Sequence, residues 1–319
     1  MTAVVQPAAS STPAHDRHTQ RRATPAARRR FRPGRVLAWA ALFLVILVTI
    51  APFVWMLRTA LSNNRSLFTD PTSPLPVDLT FGPFERVLGT ATTAEAQAEG
   101  GSGASIRFWA YLRNSLIVSV LITVGQVFFS AMAAYAFARL RWPGRDKVFF
   151  VFLTALMVPP VFTMLPNFTL IKSLGLLNTY PGIVAPFFFM TPFAIFFLRQ
   201  FFLGISREIE EAAMIDGAGY FRTYLRIIVP MSRAPLITLA ILTFINAWNE
   251  YFWPQLVGQD ESVRVLTVAL GAFVSATPQT GPDWAGLMAA ALVAAIPTIL
   301  LFLAFGRKII NSIQFTGMK

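Results

Sequence analysis

The sequence has no cysteine, which excludes disulfides, thiolate metal ligands and cysteine nucleophiles together. Histidine is nearly as scarce: His15 and His18 are the only two, and both stand in a polar N-terminal segment. The rest of the chain therefore offers no imidazole for metal binding, general-base chemistry or a proton relay. Neither a metal site nor a catalytic residue is expected. The G-x-x-x-x-G-K-[ST] phosphate loop is absent too, so no ATP hydrolysis is expected of this chain. Acids are few, 15 in 319 residues against 27 lysines and arginines. No internal repeat of inverted topology, a frequent mark of secondary carriers, is visible.

What fills the sequence instead is apolar. Hydrophobic residues make up 55%, phenylalanine alone occurs 30 times, and mean hydropathy is +0.57. An integral membrane protein is the class that fits. Crossing about 30 Å of hydrocarbon takes roughly 20 apolar residues, and six such runs can be drawn, at about 36–57, 112–138, 148–171, 183–202, 234–257 and 284–305. The expected fold is all-α, a bundle of six transmembrane helices. Pro159, Pro160, Pro186 and Pro192 lie in or beside the third and fourth runs, where kinks are expected.

Basic residues set the orientation. With the N-terminus in the cytoplasm, 20 of the 27 cations fall inside: Arg17 to Arg35, Arg139 to Lys147, Arg199 to Arg233, and the C-terminal end. Both termini are thus expected in the cytoplasm of a bacterial cell. This asymmetry accounts for the net charge of +12, and no nucleic-acid partner is needed. Residues 1–34 read as a disordered basic cytoplasmic tail, and 35–319 as the membrane domain. The twin arginines of the tail resemble an export signal, but the apolar run after them is too long for a signal-peptide core. On the outer side, residues 90–105 (TATTAEAQAEGGSGAS) lack apolar residues to order themselves, and a mobile stretch is expected there.

One segment, 203–233, is polar where its neighbours are not. Ser206 can cap a helix whose first turn holds Glu208, Glu210 and Glu211, acids that suit the positive end of the helix dipole. Gly217 stands where that helix should stop. A second helical piece should start near Tyr220, with Phe221, Tyr224, Leu225 and Ile228 on one apolar face, and Pro230 should end it. A helix–turn–helix in the cytoplasm with an apolar face needs a cover. Lipid headgroups are one candidate, but clustered acids sit poorly against an anionic leaflet, and a protein cleft fits better.

Within this segment Glu211-Ala212-Ala213, three residues, Gly217, nine residues, Ile227, one residue, then Val229-Pro230 resembles the EAA signature of binding-protein-dependent ABC importer permeases. Val229 for leucine is the single departure from that pattern. YLRNSLIVSV, AAYAFARLRWPGRDK and NAWNEYFWPQLV further resemble the carbohydrate-uptake branch, in particular the second permease subunit of maltose-type transporters. The resemblance implies a coupling helix that docks on a separate ATPase dimer, which would bind the ATP and magnesium; no cofactor is implied for this chain. By that resemblance Glu211, with Asp216 beside it, would contact the ATPase, and Gly217 would permit the turn. It also implies a second permease subunit, an extracytoplasmic sugar-binding protein met by the loop after the fifth run, a carbohydrate substrate, and a C-terminal end (Gln314–Lys319) that reaches the ATPase.

Of the acids, only Glu250 falls inside a predicted span, and an intramembrane carboxylate is costly enough to suggest a task. Asn246, Asn249 and Glu250 are spaced to share a helix face, with Trp248 and Trp253 beside them. Polar groups next to aromatic rings suit a sugar pathway; hydrogen bonding between helices is the alternative. An importer for a non-sugar solute, an ion-coupled carrier and a membrane enzyme are the rival functions, and a single buried acid serves the last two poorly.

Overall fold

The computed structural model describes residues 33–101, 106–271, 273 and 282–314. The N-terminal tail, residues 102–105, most of the loop before Pro282 and the last five residues lie outside these. Contacts divide the chain at Ile50/Ala51 into two units. Among the described residues the fold is helical, with one isolated bridge between Ser62 and Leu79 in place of a sheet.

Three helices are long and apolar enough to cross a membrane unaided: α1 (Pro33–Ala60), α4 (Phe108–Arg139) and the last helix, α15 (Trp284–Gln314). Between α1 and α4 lie two short helices, α2 (Gly82–Leu88) and α3 (Thr93–Ala98). The remaining spans are broken pairs. The helices α5 (Arg145–Thr154) and α6 (Pro160–Ser173) meet at 98°, so the third predicted run is not one rod. The cause is local. Each proline disfavours a helical conformation in the residue before it, and Val158 and Pro159 are accordingly extended, with ψ of 114° and 135°. In the fourth run α7 (Tyr180–Phe188) and α8 (Pro192–Leu203) are bent by 45° about residues 189–191.

The fifth run differs most from expectation. Its main helix, α12 (Arg233–Asn249), stops at Glu250, and residues 252–257 form a separate short helix, α13 (Phe252–Val257). Beyond it, α14 (Leu266–Leu270) turns inward: Val265, Leu266, Val268 and Phe273 are buried.

Helix α4 is the spine. Its first turns, Phe108 and Tyr111, join Val87, Trp248, Leu270 and Ala289 in one apolar cluster. Its middle, Val118 and Ile122, packs with Ile183, Trp253 and Val257. Its last turns place Ala131, Ala134 and Ala138 at helical spacing against Ile195, Leu198, Phe202, Tyr224 and Ile228. Small residues permit this close approach of helices. Gly125 does the same in the middle of α4, since a Cβ there would stand 2.4 Å from the Phe188 ring.

Residues 90–101 are ordered, contrary to their composition. Thr92 and Glu95 form a capping box that starts α3. The Glu99 carboxylate then reaches Arg86 at 2.6 Å, and Arg86 holds both oxygens of Asp283, at 3.1 and 3.2 Å, in a bidentate pair. Asn64 adds a bridge, donating to Gly100 O and accepting from the Ala285 N–H. The segment is ordered by ionic and backbone partners distant in sequence, which low apolar content does not reveal.

Candidate functional site

At the basic end of the bundle, α8 leads into α9 (Arg207–Ile215). The Ser206 hydroxyl accepts from the Glu208 N–H, as its position predicts, and Glu208 and Glu210 occupy the first turn. The helix ends in a Schellman arrangement. The Gly217 N–H donates to Met214 O at 3.0 Å and the Ala218 N–H to Ala213 O at 2.9 Å, with Gly217 at φ +83°. No other atom crowds Gly217, so the demand for glycine there is one of backbone conformation alone.

The two faces of α9 differ. Glu208, Glu211, Ala212 and Ile215 form an exposed stripe, and Asp216 at its end is exposed as well. Ile215 is 87% exposed, an apolar knob on the surface of the described residues. Ala213 is half-buried. Glu210 is turned inward, and its Oε1 lies 2.9 Å from Nε of Arg139, the last residue of α4. Both side chains are nearly sealed, 4% exposed for Arg139 and 7% for Glu210. The same guanidinium donates to the Phe202 and Ile205 carbonyls at the end of α8. Burial pushes the Glu210 carboxyl above the usual glutamate range, with Glu211 adding to it and Arg139 and Arg207 opposing. Glu210 is the residue that sequence reasoning left among three similar acids; its partner stands 71 positions away, and no local spacing points to it.

The second helical piece also departs from expectation. It begins as α10 (Tyr220–Thr223), widens into a π-helical turn over Tyr224–Ile228, and closes as α11 (Val229–Met231). Pro230 has no N–H to give to residue 226, and the wide turn accommodates that loss. The extra residue in the turn shifts the register. Tyr224 and Ile228 go into the core, whereas Phe221 and Leu225 stay exposed, so the four do not share a face. Ile227 and Pro230 are half-buried beside them. The chain then bends by 78° at Ser232 into α12.

The residues singled out in the fifth run are separated by the structure. Asn246 and Glu250 line a cavity of about 110 Å³, together with Gln126, Thr243, Ile122 and Phe187. Trp248 faces elsewhere: it is buried, stacks on Phe244 and donates its indole N–H to Ala294 O of α15. Asn249 is exposed and bonds back to Ile245 O of its own helix. Glu250 is not helical, because α12 ends there; its Oε1 accepts from the Trp253 N–H and so caps α13. Gln126 donates to Thr191 Oγ1 at the α7/α8 break. Its signal in the sequence is that of a lone glutamine in the middle of an apolar run.

Residues 126–313 match the family described as binding-protein-dependent transport system inner membrane component. The chain is 34% identical over 308 residues to the probable ABC transporter permease protein YurM of Bacillus subtilis, covering 96% of this chain and 95% of that one. It is 31% identical to the diacetylchitobiose uptake system permease protein NgcG of Streptomyces coelicolor, over 92% and 91% of the two chains. The sn-glycerol-3-phosphate transport system permease protein UgpE of Salmonella typhi is 30% identical, over 87% and 95%. In fold, the chain superimposes with a TM-score of 0.72 on a crystal structure of a bacterial ABC transporter involved in the import of the acidic polysaccharide alginate. That match covers 89% of this chain and 99% of the other, at 24% identity.

Proposed function

Since the chain belongs to the family of binding-protein-dependent transport system inner membrane components, we propose that it is the permease subunit through which an ATP-driven importer passes a carbohydrate handed over by an extracytoplasmic binding protein. The observation that carries the reading is the two-faced helix α9. Its outer stripe of Glu208, Glu211, Ala212 and Ile215 is exposed among the described residues, and it combines an apolar knob with acids, as a helix docked on another protein would. The occupant is an ATPase dimer with a basic-rimmed groove, and Glu211 and Asp216 are the residues that meet it. ATP and magnesium are held there, outside this chain. A second permease subunit completes the pathway. The basic end faces the cytoplasm, with both chain termini on that side, because most of the cations gather there.

The pathway runs past the small cavity on α4 and α12. Its polar lining, Gln126, Thr243, Asn246 and Glu250, offers amide, hydroxyl and carboxylate partners for sugar hydroxyls, beside the Phe187 ring. The lining contains no cation and one carboxylate. A phosphorylated solute such as glycerol 3-phosphate would need an arginine or lysine there, so a neutral sugar fits this lining better. Trp248 is left as a packing residue.

The test is uptake into vesicles by the complete complex, with diacetylchitobiose, trehalose, maltose and glycerol 3-phosphate offered in turn. A neutral saccharide should enter only with ATP inside. Entry that follows an ion gradient without ATP, or that is restricted to glycerol 3-phosphate, refutes the reading.

A further inference from the structure

We propose that the buried Arg139–Glu210 pair is the joint through which movement of α9 reaches the membrane helices, so that Glu210 is a positioning residue facing inward while its neighbour Glu211 faces the partner. The proposal rests on the reading that α9 docks on an ATPase, and it adds where the motion goes next.

Adjacent residues on a helix point about 100° apart. Glu211 and Glu210 therefore cannot both meet an outer partner, and the structure has turned Glu210 to the core. Its contact is with α4, the spine that runs to the opposite end and carries Gln126 of the cavity on its way. Arg139 also gathers the end of α8 through Phe202 O and Ile205 O. One guanidinium thus ties the end of a long span, the end of the preceding helix and the first turn of α9. No other ion pair links α9 to a spanning helix among the described residues.

The geometry is that of a joint more than of a rivet. Nε of Arg139 and Oε1 of Glu210 are 2.9 Å apart, yet neither atom has a hydrogen bond of good direction. The attraction is therefore mainly between charges, which tolerates a change of angle where a straight hydrogen bond does not. A buried pair holds its two elements together because parting them leaves a charge uncompensated in a dry place. It can accordingly pull α4 along while α9 tilts.

The absence of native cysteine makes the test direct. Cysteines replace Ile209 on α9 and Met132 on α4, both exposed, and take spin labels in the complete complex. Their separation is measured by pulsed electron resonance without nucleotide and with ATP·Mg trapped by vanadate. With Glu210 intact the separation should stay fixed while the ATPase closes. In Glu210→Gln the ATPase should still co-purify, but the separation should shift on adding ATP·Mg, and Glu210→Asp should restore the fixed value. A separation that stays fixed in Glu210→Gln overturns the joint. If the chain captures no ATPase whatever residue stands at 210, the docking reading of α9 fails instead.

Discussion

Arg86 and Arg139 are both buried arginines paired with acids, toward opposite ends of α4, and the two clusters are built differently. Arg86, at the end opposite α9, has its side chain 2% exposed and makes three well-directed bonds to two carboxylates, Asp283 and Glu99. Its partners come from the start of α15 and from the segment after α3. Arg139 has one carboxylate, met off-axis, and two backbone carbonyls. Bidentate pairing fixes both distance and orientation, so the Arg86 cluster locks loops to a span in one geometry. The Arg139 cluster fixes proximity and leaves orientation free. On the proposed reading, an outer entrance held in shape and an inner face that follows a moving ATPase have use for both.

The largest effect should come from breaking the lock. Arg86→Met takes the guanidinium away from buried Asp283 and from Glu99 together, at a cost of about 3–5 kcal/mol. A sharply lower thermal midpoint in detergent and poor yield are expected, followed by intrinsic fluorescence. Arg139→Met should cost less, about 1–3 kcal/mol for unmet carbonyls and acid, because Arg139 meets one carboxylate off-axis where Arg86 makes three well-directed bonds to two. Equal losses at the two sites would erase the distinction between lock and joint.

The shift at Glu210 also has a sign. Its carboxyl protonates more readily in the folded chain than in the unfolded one. On acidification the native state therefore takes up the proton first. The stability this group contributes is full below about pH 4.5 and declines as pH rises through the higher folded value. Glu210→Gln should flatten that part of the stability–pH curve, measured by thermal unfolding across pH 4 to 7.

These differences divide what a sequence can and cannot disclose. The capping of α9 by Ser206 and its end at Gly217 were legible, because each depends on residues within a turn of one another. The breaks at Pro159 and Pro192 were legible as kinks, but the right angle at the first depends on how α6 packs. The pairs Arg86–Asp283 and Arg139–Glu210 join residues far apart in the chain, and no periodicity reports them. The shared face of Asn246, Asn249 and Glu250 was read on the assumption of an unbroken helix; α12 stops at Glu250, so Asn249 bonds back to its own helix, while Glu250 joins Asn246 at the cavity and accepts from the Trp253 N–H.

Gly217→Val tests the docking proposed for α9 from that helix's other end. A β-branched residue at φ +83° costs about 1–2 kcal/mol locally, and nothing surrounds the site to compensate. Global stability should fall little, since α9 and its exposed end can refold locally, but ATP-driven uptake should drop several-fold. A thermal midpoint lowered as far as in Arg86→Met, with uptake per folded molecule unchanged, would place Gly217 in the scaffold instead.

The smallest effect is expected where the lock has a spare part. Glu99 is 25% exposed, so solvent already screens its pairing with Arg86. In Glu99→Gln the amide oxygen can still accept from Thr80 Oγ1, which Glu99 holds at 2.8 Å. Asp283 keeps both of its bonds to Arg86. A loss under about 1 kcal/mol is expected, with transport unaltered. The same chemical change, glutamate to glutamine, thus separates the two ends: at residue 99 it removes one support of an over-determined lock, whereas at residue 210 it removes the one acid that, among the described residues, pairs α9 with the spine. If uptake responds more at 99 than at 210, the outer cluster is part of the moving machinery and the lock is misidentified.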